Sequence, residues 1–314
     1  MEFLGIDIGG TKCAVVKGND KGEVTLKEVT KTTDVKETLG WILNISQKLK
    51  GNSVSAGISC GGPLDSKKGI IMSPPNLPGW DNIKIVDMLK EKLGIPVEIQ
   101  NDANACALAE WKFGAGKGCQ NMVFLTFGTG LGAGLILNGR LYSGTNDNAG
   151  EIGHIRLCDT GPVGYGKSGS FEGFCSGGGL AELGRTYALE KLQMGKQTMF
   201  CKSKDDLGAI NAKLIAECAY KGDETAIKVY DTCARMLGKG LSVIIDILNP
   251  EKIVIGSIFA RSESLLRSQM EKIIKEEALN HSEAVCSIVP AALGDSIGDC
   301  AALAVAENAF LKIK

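Results

Sequence analysis

Asn101-Asp102 stands where the strand-like stretch 97–100, Val-Glu-Ile-Gln, meets a small-residue stretch, 103–112, so a carboxylate falls at the handover from a strand to a helix. A helix N-terminus carries free N–H groups and favours negative charge nearby. Two roles fit an acid placed there. As an N-cap, Asp102 would stabilise the helix by about 1 kcal/mol and do nothing more. As a general base at a strand end, where ligands commonly bind in α/β sheets, it would take a proton from a hydroxyl during phosphoryl transfer. Asn101 would then orient the same hydroxyl-bearing substrate.

Two glycine turns supply the complementary chemistry. In "DIGGTK", Asp7 closes a strand, Gly9-Gly10 allows backbone N–H groups to approach an anion, and Thr11 and Lys12 add a hydroxyl and a cation. That set suits nucleotide phosphates, with Asp7 facing a magnesium ion or its waters. The alternative is a tight hairpin turn whose glycines serve only its backbone angles. The second turn, "FGTGLGAG", holds Gly128, Thr129 and Gly130 and formally contains a G-x-G-x-x-A pattern. A dinucleotide site needs a helix next, whereas "AGLILNGRLY" reads as a hairpin with Asn-Gly at its tip, so a Rossmann dehydrogenase is disfavoured. Two phosphate-type turns suggest a triphosphate gripped from both sides.

Other polar residues sit in loops. "NAGEIGHI" holds Glu151 and His154, three apart, but its glycines argue against a helix. His154 is one of only two histidines, and a structural role competes with a functional one. Glu172 lies in "GSFEGFCSGGG", where a solvated loop acid is the plain alternative. Gly62 lies in the rigid loop "SCGGPLD" and Asn76 in "SPPNLPGW", where an Asx-turn is the plain alternative.

The elements that must position these residues follow from periodicity and turn chemistry. Strands are expected over 3–8, 13–17, 23–29, 53–59 and 97–100, with helices over 35–48, 83–93 and 103–112. The order β-β-β-α-β-α-β-α predicts a mixed sheet flanked by helices, an α/β fold. From Asn121 the strand, glycine turn, strand, Asn-containing turn, strand pattern begins again, which reads as an internal duplication. Helices over 180–192, 210–219, 224–248 and 297–310, strands over 252–256 and 284–289, and a further helix between those two strands complete the chain. The glycine-rich stretch 114–118 is the expected boundary, giving lobes 1–117 plus 297–314 and 118–296 that close on a cleft.

Bulk composition narrows the class. The 314 residues are 44% hydrophobic but only 5% aromatic, which predicts aliphatic cores in two domains. A net charge of -1 offers no footprint for nucleic acid and no basic run for a membrane surface. The N-terminus does not read as a signal peptide, and 11 scattered cysteines in apolar runs point to a reducing cytoplasm.

In order along the chain, "GIDIGGTK", "AGISCGGPLD", "SPPNLPGW", "IQNDANACALAEW", "TFGTGLGAGLILNG", "NAGEIGH", "IVIGSIFA" and "LGDSIGDCAAL" together resemble the ROK family of sugar kinases and repressors. The resemblance spans nearly the whole chain. It implies the two-lobed actin-like ATPase fold, a duplicated ribonuclease H-like architecture, with ATP between lobes and a hexose deep in the cleft. It implies Asp102 as the base for a sugar hydroxyl, usually at C6, with Gly62, Asn76, Asn101, Glu151, His154 and Glu172 on the sugar. Asp7, Gly10, Thr11, Lys12, Thr129 and Gly130 match the phosphate and magnesium region, and Gly256 the nucleoside region. A homodimer is also implied. The repressors carry a DNA-binding domain ahead of this fold; here the phosphate turn falls within the first ten residues, so none is expected.

One departure stands out. Many members have a zinc motif, C-x-C-G-x-x-G-C-x-E, where this chain reads "VGYGKSGSFE", so Val163, Tyr165 and Ser170 take the cysteine positions. One surviving histidine cannot hold a structural zinc, which needs about four N or S ligands. No zinc is expected, and packing and hydrogen bonds must hold the loop. The reading is therefore a magnesium- and ATP-dependent hexose or N-acetylhexosamine kinase. Its rivals are a catalytically silent sugar sensor and a polyphosphate-dependent sugar kinase.

Overall fold

A computed structural model describes residues 1–312. The chain forms two compact units, one of Met1–Phe124, Gly134–Ala149 and the chain from Ala292 onward, the other of Leu125–Ala133 and Gly150–Ala291. In chain order the first unit begins with β1 (Glu2–Ile8), β2 (Lys12–Asn19), β3 (Val24–Lys31), α1 (Val35–Leu49) and β4 (Ala56–Cys60). The short hairpin strands β5 (Leu64–Asp65) and β6 (Ile70–Ile71) follow, then α2 (Ile85–Leu93), β7 (Val97–Asn101) and α3 (Asp102–Lys112). Next come β8 (Met122–Leu125), β9 (Ala133–Leu137) and β10 (Arg140–Tyr142). The second unit adds β11 (Val163–Gly164), β12 (Lys167–Ser168), α4 (Phe171–Phe174), α5 (Gly177–Gln193), α6 (Ala212–Tyr220), α7 (Glu224–Leu248), β13 (Lys252–Ile255), α8 (Ile258–Glu277), α9 (Asn280–Glu283) and β14 (Ser287–Pro290). Helix α10 (Ile297–Leu311) returns to the first unit.

The first unit is organised by a sheet of order β3-β2-β1-β4-β7, in which β1, β4 and β7 run parallel and β1, β2 and β3 antiparallel. Alternation sends Leu4, Ile6 and Ile8 to one face, where they join Ile58 and Ile99 against Ile42 of α1 and Leu89 of α2. Each such fully buried side chain stabilises the fold by roughly 1.5–3 kcal/mol. Phe3 and Val16 point to the other face and meet Leu303 and Ala306 of α10. There Gly57 of β4 lies so close to α10 that a methyl would overlap Ala306 N and Ala302 O. The run of alanines in α10 exists to permit that approach. Helix ends follow their local chemistry: the Asp34 carboxylate accepts from Lys36 N and Glu37 N ahead of α1, and Gly94 closes α2 at φ 63°.

The mixed α/β fold, the recurrence of strand–turn–strand–turn–strand at β1–β3 and β8–β10, and all the long helices agree with the sequence reading. The expected lobe boundaries, 1–117 with 297–314 against 118–296, differ from the observed division (the last two residues of 297–314 lie outside the described residues). The physical reasons are local. A methyl on Gly134 of β9 would overlap Ala103 O and lie 2.5 Å from the Ala107 side chain, so β9 packs on α3 within the first unit. The stretch 114–118 is anchored rather than free, because Glu110 Oε2 accepts from Ala115 N at 2.8 Å and Trp111 Nε1 donates to Cys119 O at 2.8 Å. The expected strand 284–289 is shifted to Ser287–Pro290, where pairing with β13 sets Lys252 opposite Ser287. Among the described residues no helix is long and apolar enough to cross a membrane.

Candidate active site

The parallel strands of the first unit end in register. Asp7, Ser59 and Gln100 are neighbours across β1, β4 and β7, and so are Ile8, Cys60 and Asn101. With strands about 4.8 Å apart, the loops after all three begin within roughly 10 Å of each other. Those loops are Gly9–Thr11, Gly61–Pro63 and the start of α3. Carboxyl ends of parallel strands are where α/β sheets bind ligands.

Asp102 is the first residue of α3, and it is not the cap. Asn101 Oδ1 accepts from Asn104 N at 2.8 Å and performs that role. The Asp102 carboxylate is left with one bond, from Ala103 N to Oδ1 at 2.8 Å, so Oδ2 is the oxygen free for chemistry. The residue keeps an open face to solvent. Protein atoms crowd the rest of the carboxylate, and that desolvation pushes its pKa up against the opposing N–H of Ala103. A carboxylate in that state is a better base than one free in water.

Asp7 is half-buried, with Gly298 of α10 close enough that a methyl there would lie 3.0 Å from Oδ2. Burial first, then the negative charges of Asp299 and Asp102, push Asp7 up to about 6, against Lys12 and Lys27. Crowded acids of this kind suit a divalent cation, so Asp7 fits the magnesium expected there. The turn beside it is braced by Thr32 Oγ1, which donates to Gly9 O at 2.5 Å, and by Gly9 N to Lys12 O at 3.1 Å. Among the described residues no protein acceptor is bonded to the N–H of Gly10 or Thr11, while Thr11 and Lys12 are exposed. Those amides are available to an anion.

Gly10 also meets the loop that carries Asn76. A side chain on Gly10 would overlap Asn76 O and touch its Cβ at 3.0 Å. The buried Leu77 and Trp80 anchor that loop and present Asn76 outward, and its side chain has no protein partner among the described residues. The Asx-turn alternative is therefore not what the structure shows. Gly61 and Gly62 have neither positive φ nor any protein atom within 4 Å of a built Cβ. Neither conformation nor packing requires glycine there, whereas a group docking on that backbone would.

The second unit gathers its own set. Gly128 N donates to Gly130 O at 3.1 Å, closing the second turn, and Gly128 O accepts from Gly177 N at the start of α5 at 2.8 Å. Glu172 Oε2 accepts from Leu131 N at 3.0 Å, and a Cβ on Gly130 would lie 2.7 Å from it. Glu172 thus braces the glycine turn and is no freely solvated acid. A Cβ on Gly153 would meet Glu172 Cβ at 3.2 Å, so the Glu151–His154 segment joins the same cluster. That segment is a single 3₁₀ turn, Ile152–His154, where the glycines had argued for a loop. Gly256 N donates to Leu125 O at 2.9 Å, which fixes Gly256 beside β8. The sequence reading missed Ser257, held at φ 50° and ψ −108° with Oγ 3.8 Å from a Cβ built on Gly128. Strained backbone beside a glycine turn is a common mark of function, and nothing in the local pattern signals it.

The residues at the zinc-motif positions do not fit a zinc. Val163 and Tyr165 are exposed, and buried Ser170 uses its Oγ to accept from Gly173 N at 3.0 Å. Cys175 is buried and its thiol donates to Cys233 O at 3.5 Å. The loop is held otherwise. Tyr165 packs edge-on to His154 with centroids 5.0 Å apart, Lys167 Nζ donates to His154 O at 2.7 Å, and β11 pairs with β12.

Comparison with known proteins fits this geometry. The model of the ROK family matches residues 3–309. A glucokinase of Halalkalibacterium halodurans is 32% identical over 308 residues, 94% of this chain and 92% of its own. The crystal structure of a ROK family glucokinase from Streptomyces griseus in complex with glucose and AMPPNP superposes with a TM-score of 0.77 at 28% identity, covering 98% of this chain and all of that one (100%). The DNA-binding transcriptional dual regulator NagC of Escherichia coli is 31% identical over 218 residues, 69% of this chain and 52% of its own. The fold shared with these neighbours is the actin-like ATPase fold expected from the motifs.

Proposed function

This chain belongs to the ROK family, and on that premise we propose that it is a sugar kinase that transfers the γ-phosphoryl group of ATP to a hexose or N-acetylhexosamine hydroxyl, O6. The observation that carries the reading is the register of β1, β4 and β7, which sets Asp7, the Gly9–Lys12 turn, Gly62 and Asp102 at one end of one sheet. In the proposed step Asp102 Oδ2 accepts the hydroxyl proton as the sugar oxygen attacks phosphorus in line and the bond to ADP breaks. Asn101 spends Oδ1 on its cap, and its amide nitrogen remains for the sugar. Gly62, Asn76, Glu151, His154 and Glu172 are proposed to hold the sugar. The free amides of each glycine turn, with Lys12, Thr11 and Thr129, are proposed to hold phosphates, and Gly256 to border the nucleoside. Asp7 would hold magnesium, which supplies charge neutralisation on the phosphates when bound.

A panel of hexoses and N-acetylhexosamines, scored for sugar-dependent ADP release, tests the reading. ADP release with at least one sugar is the expected result. Sugar binding without ADP release would replace the kinase with a silent sensor, a reading that the likeness to NagC keeps in view. Turnover with polyphosphate and none with ATP would replace the donor.

A further inference from the structure

We propose that Asp147 is a positioning residue for the sugar: it clamps the loop that carries Gly62. The inference rests on the reading of Gly62 as a sugar contact. Asp147 is only 7% exposed, and it is held at φ 63°, a left-handed conformation that Asp adopts at less cost than most residues. Both its oxygens are spent on one residue 81 positions earlier. Oδ2 accepts from Ser66 N at 2.8 Å and Oδ1 accepts from Ser66 Oγ at 2.7 Å. Charge-assisted bonds of this two-pronged kind are strong and fix orientation as well as distance. Lys67 Nζ adds a strut, donating to Thr145 O at 3.2 Å.

The clamped residue ends a short path to the proposed sugar backbone. Ser66 follows β5, whose Leu64 pairs with Ile71 of β6, and Pro63 O accepts from Met72 N at 2.9 Å. The segment from Pro63 to Ser66 is therefore tied to β6 on one side and to Asp147 on the other. Gly61 and Gly62, which precede it, have no side chain and no packing neighbour at Cβ to hold them. Their placement depends on β4, which ends at Cys60, and on the anchored segment that follows. Loss of the clamp should loosen sugar binding and leave phosphate handling alone, because none of these contacts reaches the Gly9–Lys12 turn.

The test compares the full-length wild type with D147A, D147N and S66A by steady-state kinetics, melting and trypsin digestion. D147A should raise the sugar KM about tenfold, while kcat and the ATP KM stay within about twofold. D147N should remain within about threefold of wild type, since its amide can accept from Ser66 N–H and donate to Ser66 Oγ. S66A should fall between, because it keeps the backbone bond. Trypsin should cut D147A after the exposed Lys67 and Lys68 faster than wild type. An unchanged sugar KM in folded D147A overturns the proposal, as does a parallel loss in kcat and both KM values, which marks a merely structural role. Wild type that turns over no sugar would instead sink the kinase reading; tryptic rates then decide the clamp, equal rates overturning it.

Discussion

Asp102→Asn is the substitution on which the chemistry turns. The amide has the carboxylate's shape, and its oxygen can still accept the 2.8 Å bond from Ala103 N, while Asn101 keeps capping α3. What is lost is the basicity of Oδ2. A general base is worth about 10²–10⁴-fold, or about 3–5 kcal/mol of transition-state stabilisation. The kcat should fall by that factor, with sugar affinity little changed. Stability should move the other way. The folded pKa of Asp102 is raised by desolvation, so its contribution to stability is fully present below the unfolded value of about 4 and is lost as pH rises through the folded value. At pH 7.5 the wild type therefore carries an unfavourable, partly desolvated charge that the variant lacks. Coupled ADP-release assays and thermal melts at pH 7.5 should show a large loss of turnover beside an equal or higher Tm. Turnover within a few-fold of wild type would refute Asp102 as the base, and a Tm lower by many degrees would refute the account of the variant as an intact fold.

Asp7→Asn should follow the same sign. Its carboxyl is pushed up to about 6 by burial, Asp299 and Asp102, so its stabilising share is lost as pH rises from about 4 through 6. In magnesium-free buffer the variant should gain Tm relative to wild type at pH 8 but not at pH 4, read by differential scanning fluorimetry, while its magnesium-dependent turnover collapses. Glu110→Ala should cost about 3–5 kcal/mol in urea melts, since the fully buried carboxylate serves Ala115 N, Ala292 N and Leu293 N at once, with Glu110→Gln costing less. Dialysis against a zinc chelator should leave the Tm unchanged, with less than one zinc per chain by elemental analysis before treatment. Depletion of magnesium should stop ADP release until it is restored.

Much of the fold was legible because its periodic elements are long. Helix α7, Glu224–Leu248, was read to the residue, since apolar positions recur at helical spacing between an Asp cap and Asn249 in the left-handed conformation. Strand order was legible only as far as local rules reach. The two-residue strands β5 and β6 were missed because two residues carry no period. The shift of β14 was missed because its register comes from β13 and not from its own sequence.

The candidate site divides along the same line. Residue type and spacing alone determined that this chain carries two glycine-rich turns and an acid at a strand-to-helix handover. Turns and termini are local, so neighbours in sequence specify them. Only tertiary structure decided that Asn101 caps α3 and leaves Asp102 free, because both residue types can cap and the backbone at position 101 makes the choice. Contacts such as Glu172 to Leu131 and Asp147 to Ser66 join residues 41 and 81 positions apart, and no local pattern encodes a hydrogen bond that exists only after the sheet and its loops have packed.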